Sequence, residues 1–409
     1  MVGFNPRDAA FLANPYPAFR ELRETAPVWR SPFGRTFLTR YEDASLLMRD
    51  RRLGKDYTDP DALIRRFGPT AMREPAVVEL SHMMLMRDPP DHTRLRGLVT
   101  KVFTARKIEE MRPGIQAIAD RLLDQVAGAG EMDAIRDLAF PLPVLVICEL
   151  LGIPEEDRAR FVTATASGAA LLNPVPPTRA ELDQANESTL ATGAYFEALF
   201  EQRRKQPHDD LLTLLVQAEE AGDRLTTEEL RANVTLLFAA GHETTVNLIG
   251  NGIWALLSNP SQWAAIQDNP TLIPNAIEEI LRYECPVQAV ARTVAEPIEF
   301  GGSEFGKGEL IVALIGAANR DPEVFPDPDR MDVARERLRP LSFGGGIHFC
   351  IGAQLARIEA EVVFSTLLRR MPDLTLADRA VPQWRESFTL RGLTTLPVTW
   401  VASQRRGAA

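Results

Sequence analysis

The feature that most constrains the fold is one long run of apolar residues at helical spacing in the second half of the chain. Thr226 and Glu229 have the S/T-x-x-E spacing of a capping box, in which each side chain satisfies a free backbone N–H at a helix start. The apolar pattern continues to about Leu257 and stops ahead of Pro260, as expected before a proline. At about 1.5 Å per residue this helix is roughly 45–50 Å long, so we expect it to cross the whole molecule.

Most of the remaining sequence also has helical periodicity, whereas strand patterns are few. We predict further helices over residues 15–25, 41–50, 92–103, 105–127, 138–150, 155–170, 181–205, 208–221 and 352–370. We predict strands in a hairpin over 28–39 that turns at Gly34, in an alternating segment over 291–317, and over 393–401. The fold class is therefore mainly α with a small antiparallel β region. Neither a linker nor an internal repeat divides the sequence, so we expect residues 1–409 to form one domain.

The charge and the cysteine content argue against several classes of protein. The net charge of -10 argues against nucleic-acid binding through the whole surface. The three cysteines are too few and too scattered for a disulfide scaffold, which favours a reducing compartment. We find no signal pattern at the N-terminus and no run of about 18 apolar residues. We therefore expect a cytoplasmic, monomeric protein that binds neither nucleic acid nor membrane.

A glycine-rich segment from Phe343 to Gly352 delivers Cys350 to the start of a predicted helix. Glycines such as Gly344 permit positive φ and the close approach of a flat ligand. A helix N-terminus stabilises a thiolate and is expected to lower the pKa of the cysteine. The segment fits a buried structural cysteine, half of a metal site built on His348 and Cys350, or a haem thiolate. No second pair stands at zinc-ligand spacing, which argues against the metal site.

The long helix contains an unusual polar segment, Ala240-Gly241-His242-Glu243-Thr244, inside its apolar run. A glycine such as Gly241 costs about 1 kcal/mol relative to alanine inside a helix, a cost that close approach of a ligand would offset. The Thr244 hydroxyl lies four residues after Ala240, so we predict that it donates to the Ala240 carbonyl and opens the helix locally. The alternative is a polar stripe that faces solvent.

Together the two segments resemble the motifs of the cytochrome P450 family, in its soluble bacterial type. Residues 343–352 match F-G-x-G-x-H-x-C-x-G at every fixed position, and residues 240–244 match A-G-x-E-T. The resemblance implies the cytochrome P450 fold, with the long helix over a haem b whose iron is ligated by Cys350. It also implies that Phe343 lies against the porphyrin or the sulfur, that Gly344 and Gly352 shape the loop, and that backbone N–H groups after Cys350 bond the sulfur.

The resemblance gives the long helix a role in activating dioxygen, which is the implied co-substrate. Ala240 and Gly241 would make room for dioxygen, and Glu243 and Thr244 would form an acid–alcohol pair that delivers protons. His242 stands at the variable position of the motif, so we expect it to point away from the iron and to be structural.

A further motif concerns a charged network. Glu279 and Arg282 fit E-x-x-R, a spacing that by itself is common in solvated helix pairs. Tyr283 and Pro286 follow it, as they do in the family. The resemblance adds Arg330 as the third member of a buried network that braces the haem loop.

Another motif concerns the haem propionates. Residues 88–96 resemble the family's helix start with H-x-x-x-R, in which His92 and Arg96 share one helical face. By resemblance these two side chains, together with Arg292 and His348, bind the propionates. A basic, exposed helix is the alternative, and it is most plausible for Arg94.

Candidate substrate contacts come from four segments that the family places around the haem. The candidate side chains are Phe67, Met72, Met83, Leu237, Val287, Val290 and Phe388. Methionine adapts to irregular ligands, although core packing explains each single residue equally well. Together they indicate a hydrophobic organic substrate. Arg65 and Arg66 are candidates for holding a carboxylate, and solvated arginines are the simpler interpretation.

The resemblance implies a monooxygenase that inserts one oxygen atom of dioxygen into its substrate. With no flavin or iron–sulfur domain apparent, we expect electrons from a separate ferredoxin or flavodoxin and its NAD(P)H-dependent reductase. The alternatives are a peroxide-driven peroxygenase, against which Glu243 and Thr244 argue, and a non-catalytic haem sensor or carrier. Two locally basic stretches are candidates for the donor's docking surface. They contain Arg87, Arg94, Arg96, Lys101, Arg106 and Lys107, and Arg335, Arg337 and Arg339.

Overall fold

The computed structural model describes residues 4–32, 34–55, 57–101, 103–158, 171–173, 176–220, 225–378 and 381–401. Within these ranges the helices are α1 (Ala9–Ala13), α2 (Tyr16–Thr25), α3 (Tyr41–Arg49), α4 (Pro60–Phe67), α5 (Pro75–His82), α6 (Asp91–Thr100), α7 (Ala105–Glu110), α8 (Arg112–Val126), α9 (Pro141–Leu151), α10 (Arg179–Lys205), α11 (Leu211–Glu220), α12 (Thr227–Leu257), α13 (Pro260–Asp268), α14 (Ile273–Tyr283), α15 (Ile315–Ala318) and α16 (Ala353–Arg370). The strands are β1 (Val28–Arg30), β2 (Thr36–Leu38), β3 (Leu53–Gly54), β4 (Glu131–Asp133), β5 (Ala289–Val294), β6 (Ile298–Phe300), β7 (Ser303–Phe305), β8 (Leu310–Leu314), β9 (Thr375–Leu376), β10 (Gln383–Trp384), β11 (Leu393–Thr395) and β12 (Pro397–Thr399).

Helix α12 is 31 residues long and forms the centre of the molecule. Its predicted capping box is confirmed, because the Glu229 N–H donates to Thr226 Oγ1 (3.2 Å) and the Thr226 N–H donates to Glu229 Oε2 (3.0 Å). The helix packs against α5, α9, α14 and α16, so most of its surface is buried. Burial on several sides explains why its sequence is apolar around much of its circumference.

The largest sheet has the strand order β1-β2-β8-β5-β3. Its β1–β2 pair confirms the predicted hairpin, and the β2–β8 pair is parallel, with Phe37 opposite Val312. The other pairs of this sheet are antiparallel. The smaller sheets of the described residues are β4-β12-β9, β10-β11 and β6-β7. The large sheet brings β3 beside β5, which carries Arg292.

The mainly helical fold class is confirmed, and three of the helices that the prediction missed begin with a proline. These are α4, α5 and α13, which begin with Pro60, Pro75 and Pro260. A proline at the first helical position lacks only an N–H that a helix start leaves unpaired anyway. Residues 105–127 likewise form two helices, with Pro113 in the first turn of the second. Most of the helix predicted over 155–170 lies outside the described residues.

Two predicted strand segments are interrupted. Residues 393–401 form β11 and β12, which are separated at Leu396, whose N–H donates to Asp133 Oδ1 (3.0 Å). Residues 291–317 contain strands as predicted, but Ile315 begins the short helix α15. In the part of the chain that the structure describes, no helix combines the length and the apolar character needed to cross a membrane.

Candidate functional site

The loop that ends in Cys350 is shaped by glycines and closed by its own backbone. Gly344 and Gly346 have φ values of 74° and 64°, in the left-handed region that residues with a Cβ rarely adopt. A Cβ at Gly346 would also collide with the carbonyl oxygen of Met48 in α3. The Cys350 N–H donates to the Phe343 carbonyl (2.9 Å), which closes the loop just before α16. The predicted need for positive φ in this loop is confirmed.

The Cys350 thiol is accessible, yet protein surrounds it closely, so it lies in a recess. A backbone N–H group, that of Gly352, donates a hydrogen bond to the sulfur as predicted. Burial nevertheless raises the pKa of the thiol and outweighs Gly352 and the charges of Arg96 and Arg357. The hydrogen bond at the helix start therefore lowers this pKa as predicted, but burial outweighs it and the net shift is upward. An accessible sulfur in a poorly solvated recess suits a metal cation, which deprotonates a thiol on binding.

Two of the predicted propionate ligands, His92 and His348, lie side by side. Their ring centroids are 4.4 Å apart, and each ring has a buried nitrogen without a hydrogen-bond partner, His92 Nδ1 and His348 Nε2. Burial and four nearby basic groups lower the pKa of His348 to about 2, and burial lowers that of Arg292 to about 10. Buried donors and like charges of this kind are stabilised by an anion. The two carboxylates of a haem fit this cluster.

Arg96 and Lys55 extend the same cluster. Arg96 Nη2 donates to the Phe349 carbonyl (2.6 Å), so Arg96 also ties α6 to the cysteine loop. Lys55 was missed by the sequence analysis; its charge contributes to the low pKa of His348. It reaches the cluster because β3 pairs with β5, which places Lys55 Nζ 3.5 Å from the Ala291 carbonyl. Lys55 is a single lysine that follows the two-residue strand β3, and no pattern in the sequence around it indicates that it lies near the haem cluster.

The middle of α12 presents two side chains to open space between buried neighbours. Ala240 is exposed and Thr244, one turn later, is half-buried. Thr244 Oγ1 donates to the Ala240 carbonyl (3.0 Å), which confirms the predicted bond. A Cβ at Gly241 would lie 2.8 Å from Ile147 Cδ1 of α9. Gly241 therefore permits close packing of α9 on α12, and the expectation that it also makes room for dioxygen stays a prediction.

Glu243 is held by a partner that the sequence analysis did not identify. Nη1 of Arg385, next to β10, donates to Glu243 Oε1 (3.1 Å), and the glutamate side chain is 11% exposed. Burial raises the pKa of Glu243 to about 7, and Arg385 opposes this shift. A carboxyl group that titrates near neutrality can both donate and accept protons. The two residues are 142 positions apart, so local spacing cannot reveal the pair.

His242 has the structural role that was expected of it. Its side chain is buried, and Nδ1 lies 2.8 Å from the Phe238 carbonyl. Its ring also meets Phe140 edge-on. Burial lowers the pKa of His242 to about 4, so the ring is neutral at pH 7.

The charged network around Glu279 exists, but its third member differs from the prediction. Arg282 donates from Nε and Nη2 to the two Glu279 carboxylate oxygens (2.7 Å each), and both side chains are fully buried. Arg335 Nε lies 3.3 Å from Glu279 Oε2, and its side chain is 8% exposed. The predicted member, Arg330, is 64% exposed and pairs with Asp332 instead. The assignment of Arg330 is wrong because its side chain turns outward and only its carbonyl accepts from Arg282.

Asn319, also missed by the sequence analysis, connects this network to the cysteine loop. Arg282 Nη1 donates to the Asn319 carbonyl (3.1 Å). The Asn319 side chain donates to Ser342 Oγ (2.9 Å) and accepts from the Leu341 N–H (2.8 Å). Since Phe343 follows directly, the buried charges brace the start of the cysteine loop, as the resemblance implied.

The predicted substrate contacts fall in different places. Phe67 is buried in a cluster with Tyr57, and the half-buried Met83 packs against that cluster. The other candidates have the following positions: Leu237 is buried in α12, Met72 is 47% exposed, Val287 bridges to Leu390, Val290 lies in β5 of the large sheet, and Phe388 is buried.

Phe388 stacks on Phe4 and Phe11, with ring centroids 5.5 Å and 6.0 Å away. Its ring lies 17° or less from parallel to each partner. This packing makes Phe388 part of the N-terminal core rather than a substrate contact.

The two basic stretches contain fewer available charges than the sequence suggests. Arg94 Nη1 donates to Glu229 Oε2 (3.0 Å), and its Nη2 donates to both Glu229 and Asp91, so Arg94 forms a structural ion pair. Arg335 is buried in the Glu279 network. Lys101 and Arg337 remain exposed. The proposed docking surface must therefore exclude Arg94 and Arg335.

Comparisons with known proteins agree with this geometry. The family model for cytochrome P450 matches residues 61–386. Cytochrome P450 107B1 of Saccharopolyspora erythraea is 45% identical over 400 residues, which cover 96% of each chain. Cytochrome P450 monooxygenase PikC of Streptomyces venezuelae is 42% identical over 406 residues, covering 97% of this chain and 94% of PikC. The crystal structure of the myxobacterial cytochrome P450 CYP267B1 in complex with myristic acid superposes with a TM-score of 0.88 at 42% identity, covering 96% of this chain and 98% of that one.

These matches establish the chemistry class together with the fold. Members of this family use haem iron and dioxygen, and the residues around Cys350 are suited to holding that group. This chain belongs to the cytochrome P450 family and is a haem-thiolate monooxygenase.

Proposed function

We propose that this cytochrome P450 uses haem b to insert one oxygen atom into a hydrophobic organic substrate, with electrons from a separate ferredoxin or flavodoxin and its NAD(P)H-dependent reductase. The observation that carries the proposal is the setting of Cys350. Its accessible sulfur accepts from the Gly352 N–H beside a cluster of buried basic groups that lacks hydrogen-bond partners at His92 and His348.

The residues of this cluster hold the haem in the proposal. Cys350 supplies the thiolate ligand, and His92, Arg96, Arg292 and His348 donate to the propionates. Phe343 begins the loop, and the carbon of the Arg357 guanidinium lies 4.4 Å from its ring centroid. Gly344 and Gly352 set the loop's path. A thiolate-ligated haem supplies the capacity to cleave the O–O bond and to transfer an oxygen atom.

Glu243 and Thr244 deliver protons in this proposal. The Thr244 hydroxyl already donates its proton to the Ala240 carbonyl. Its oxygen can therefore accept a hydrogen bond from a donor on the open side of α12. Glu243 is protonated about half the time near pH 7, because its pKa is raised to about 7. When the Glu243 carboxyl group is released from Arg385, it can rotate between solvent and the open side of α12 near Thr244.

The substrate is proposed to be a hydrophobic organic molecule. The cluster that contains Phe67 also contains Tyr57, Leu63, Val77 and Leu80, which gives a continuous apolar wall. The crystal structure of CYP267B1 is a complex with myristic acid. This supports a ligand with an apolar chain for the apolar wall of this protein.

The donor is proposed to dock where the cysteine loop meets the surface. Ile347 and Phe349 are 48% and 44% exposed on this loop. Arg96 ties the loop to α6, whose neighbour Lys101 is exposed. An apolar centre with basic groups around it fits an acidic protein partner.

The test is turnover with isotopically labelled dioxygen, NADH, a surrogate ferredoxin and its reductase, over a library of apolar substrates. The proposal expects product that carries one labelled oxygen atom and depends on both NADH and the donor. Product formed only with hydrogen peroxide would indicate the peroxygenase. Haem binding without product under either condition, across substrates that shift the Soret band, would indicate a sensor or carrier.

A further inference from the structure

Arg357, in the second turn of α16, is a cation held beside the start of the cysteine loop. Its guanidinium carbon lies 4.4 Å from the ring centroid of Phe343, the first residue of that loop. Its Nε donates to Glu278 Oε1 of α14 (2.5 Å), and its Nη1 donates to the Ala353 carbonyl (3.4 Å), one turn earlier in α16. These contacts hold the guanidinium group at the N-terminal end of the helix.

The N-terminal end of a helix is an unfavourable place for a cation. Helical side chains point back toward the helix start, and the partial positive charge of the unpaired N–H groups there repels a positive group. The Phe343 ring face and the Glu278 carboxylate offset part of this repulsion. The side chains of Arg357 and Glu278 are 35% and 23% exposed, however, and ion pairs of such exposure contribute little. An anion in the cysteine loop would supply further attraction.

The charge of Arg357 acts on the Cys350 sulfur. Burial raises the pKa of the Cys350 thiol, and the Gly352 N–H, Arg96 and Arg357 oppose that shift. A group that opposes the shift stabilises the thiolate relative to the thiol. Arg96 also donates to the Phe349 carbonyl and holds a propionate in the proposed function. Arg357 can therefore be changed without disturbing those contacts.

Reduction of the haem iron would place additional negative charge near this cation. The step adds one electron from the donor to the ferric iron, and no proton is moved and no bond is made or broken. A neighbouring positive charge stabilises the more negative ferrous state, and the effect is stronger in a poorly solvated recess than in water. Charges and hydrogen bonds around a cysteine sulfur are levers by which a protein sets the potential of the metal that the sulfur binds.

We propose that Arg357 is a positioning residue that raises the reduction potential of the haem ligated by Cys350, and that Glu278 holds the Arg357 charge against Phe343. The inference rests on the proposed function, because it concerns the haem that Cys350 binds there. It adds the group that sets how readily the iron accepts its first electron.

The test is the midpoint potential of the substrate-free, haem-containing protein, measured by spectroelectrochemical titration with dithionite at low ionic strength and without ferredoxin. In Arg357→Gln we expect the ratio of ferric to ferrous protein at a fixed potential to rise about threefold to tenfold. At roughly 59 mV per tenfold change, this is a fall of roughly 30–60 mV in the midpoint potential. Arg357→Met should show the same fall, because its neutral side chain can still pack on the Phe343 ring.

Two conservative variants separate the effect of charge from an effect on the loop's structure. Arg357→Lys keeps the positive charge and should recover part of the fall, although lysine lacks the planar group that stacks on a ring. Glu278→Gln keeps an acceptor for Arg357 Nε and removes the opposing negative charge, so its potential should stay the same or rise. If the pair only maintained the shape of the loop, Glu278→Gln would lower the potential as Arg357→Gln does.

Arg369→Gln is the matched control, because it removes the same charge from the last turn of α16. Arg369 is 62% exposed and pairs with Asp120 (3.3 Å). It lies about 18 Å along the helix from Arg357, at 1.5 Å per residue, so its loss should leave the potential unchanged. The inference would be overturned by an unchanged potential in Arg357→Gln and Arg357→Met, by an equal fall in Arg369→Gln, or by a fall in Glu278→Gln.

The carbon monoxide spectrum of each protein separates failure of the inference from failure of the proposed function. Thiolate-type Soret bands in wild type and variants, together with equal potentials, would refute the inference alone. A wild-type band typical of imidazole ligation would refute the proposed function. An unchanged potential in Arg357→Gln with a raised KM for ferredoxin would make Arg357 a docking residue only, and would also overturn the inference.

Discussion

Replacing Glu279 with alanine is expected to destabilise the protein severely and to release the haem. Glu279 and Arg282 are 0% exposed, and Arg335 is 8% exposed. Removing the carboxylate leaves two buried guanidinium groups without their counter-ion and leaves the Asp332 N–H without its acceptor (2.8 Å). Breaking a buried pair from one side costs about 3–5 kcal/mol.

The size of the effect on the melting temperature follows from chain length. At about 2.1 cal/mol/K per residue, the unfolding entropy of the 409 residues makes each kcal/mol worth roughly 1 °C. Glu279→Ala is therefore expected to lower the Tm by roughly 4–6 °C if the chain unfolds as one unit.

Two arginine variants provide the sharpest control for this network. Arg335→Ala removes a buried partner of Glu279 and its hydrogen bonds to the Asp327 (3.2 Å) and Arg330 (2.9 Å) carbonyls, so a loss of about 2–3 kcal/mol is expected. Arg330→Ala removes an exposed side chain, and such a change alters stability by about 0.5 kcal/mol or less.

The assay is the Tm of the haem-containing protein together with the ratio of haem to protein absorbance after gel filtration. The expected order of loss is Glu279, then Arg335, then Arg330 with almost none. Normal haem content in Glu279→Ala, or an Arg330→Ala effect as large as that of Arg335→Ala, would refute the assignment of the network.

Three further predictions concern proton delivery and electron transfer. Thr244→Ala should keep haem and substrate binding but release more hydrogen peroxide per NADH consumed, and an unchanged peroxide yield would count against the hydroxyl's role. Because the pKa of Glu243 is raised to about 7, its protonated fraction falls as pH rises beyond 7, so turnover should decline on that side. Arg385→Gln removes the group that lowers this pKa and should move the decline to higher pH, whereas Glu243→Gln should abolish it; identical pH profiles for all three enzymes would exclude this carboxyl group. Replacing Lys101 and Arg337 with glutamate should raise the KM for an acidic ferredoxin and flatten its salt dependence, and equal reduction rates at low salt would place the docking surface elsewhere.

Local patterns in the sequence predicted local structure well. The Thr226 capping box and the Thr244 bond to Ala240 were confirmed because both depend on residues three or four positions apart in one helix. The glycine loop was predictable for the same reason, since positive φ at Gly344 is a property of the residue itself.

Long-range partners were not predictable in this way. Arg330 and Arg335 stand five positions apart in one irregular loop, and only the folded backbone decides which side chain turns inward. Arg385 reaches Glu243 across 142 residues, and Lys55 reaches the haem cluster through strand pairing. The spacing of residues within α12 also could not predict that Ile147 of α9 fills the space beside Gly241.

Everything proposed for this site depends on ligation of a haem iron by the Cys350 sulfur. The most direct measurement is the absorption spectrum of the reduced, carbon monoxide-bound protein, freshly purified with its haem. We expect the strongly red-shifted Soret band of thiolate ligation, and we expect this band to disappear in Cys350→His even where haem remains bound. A wild-type band at the position typical of imidazole-ligated haem, in folded protein with full haem content, would contradict it.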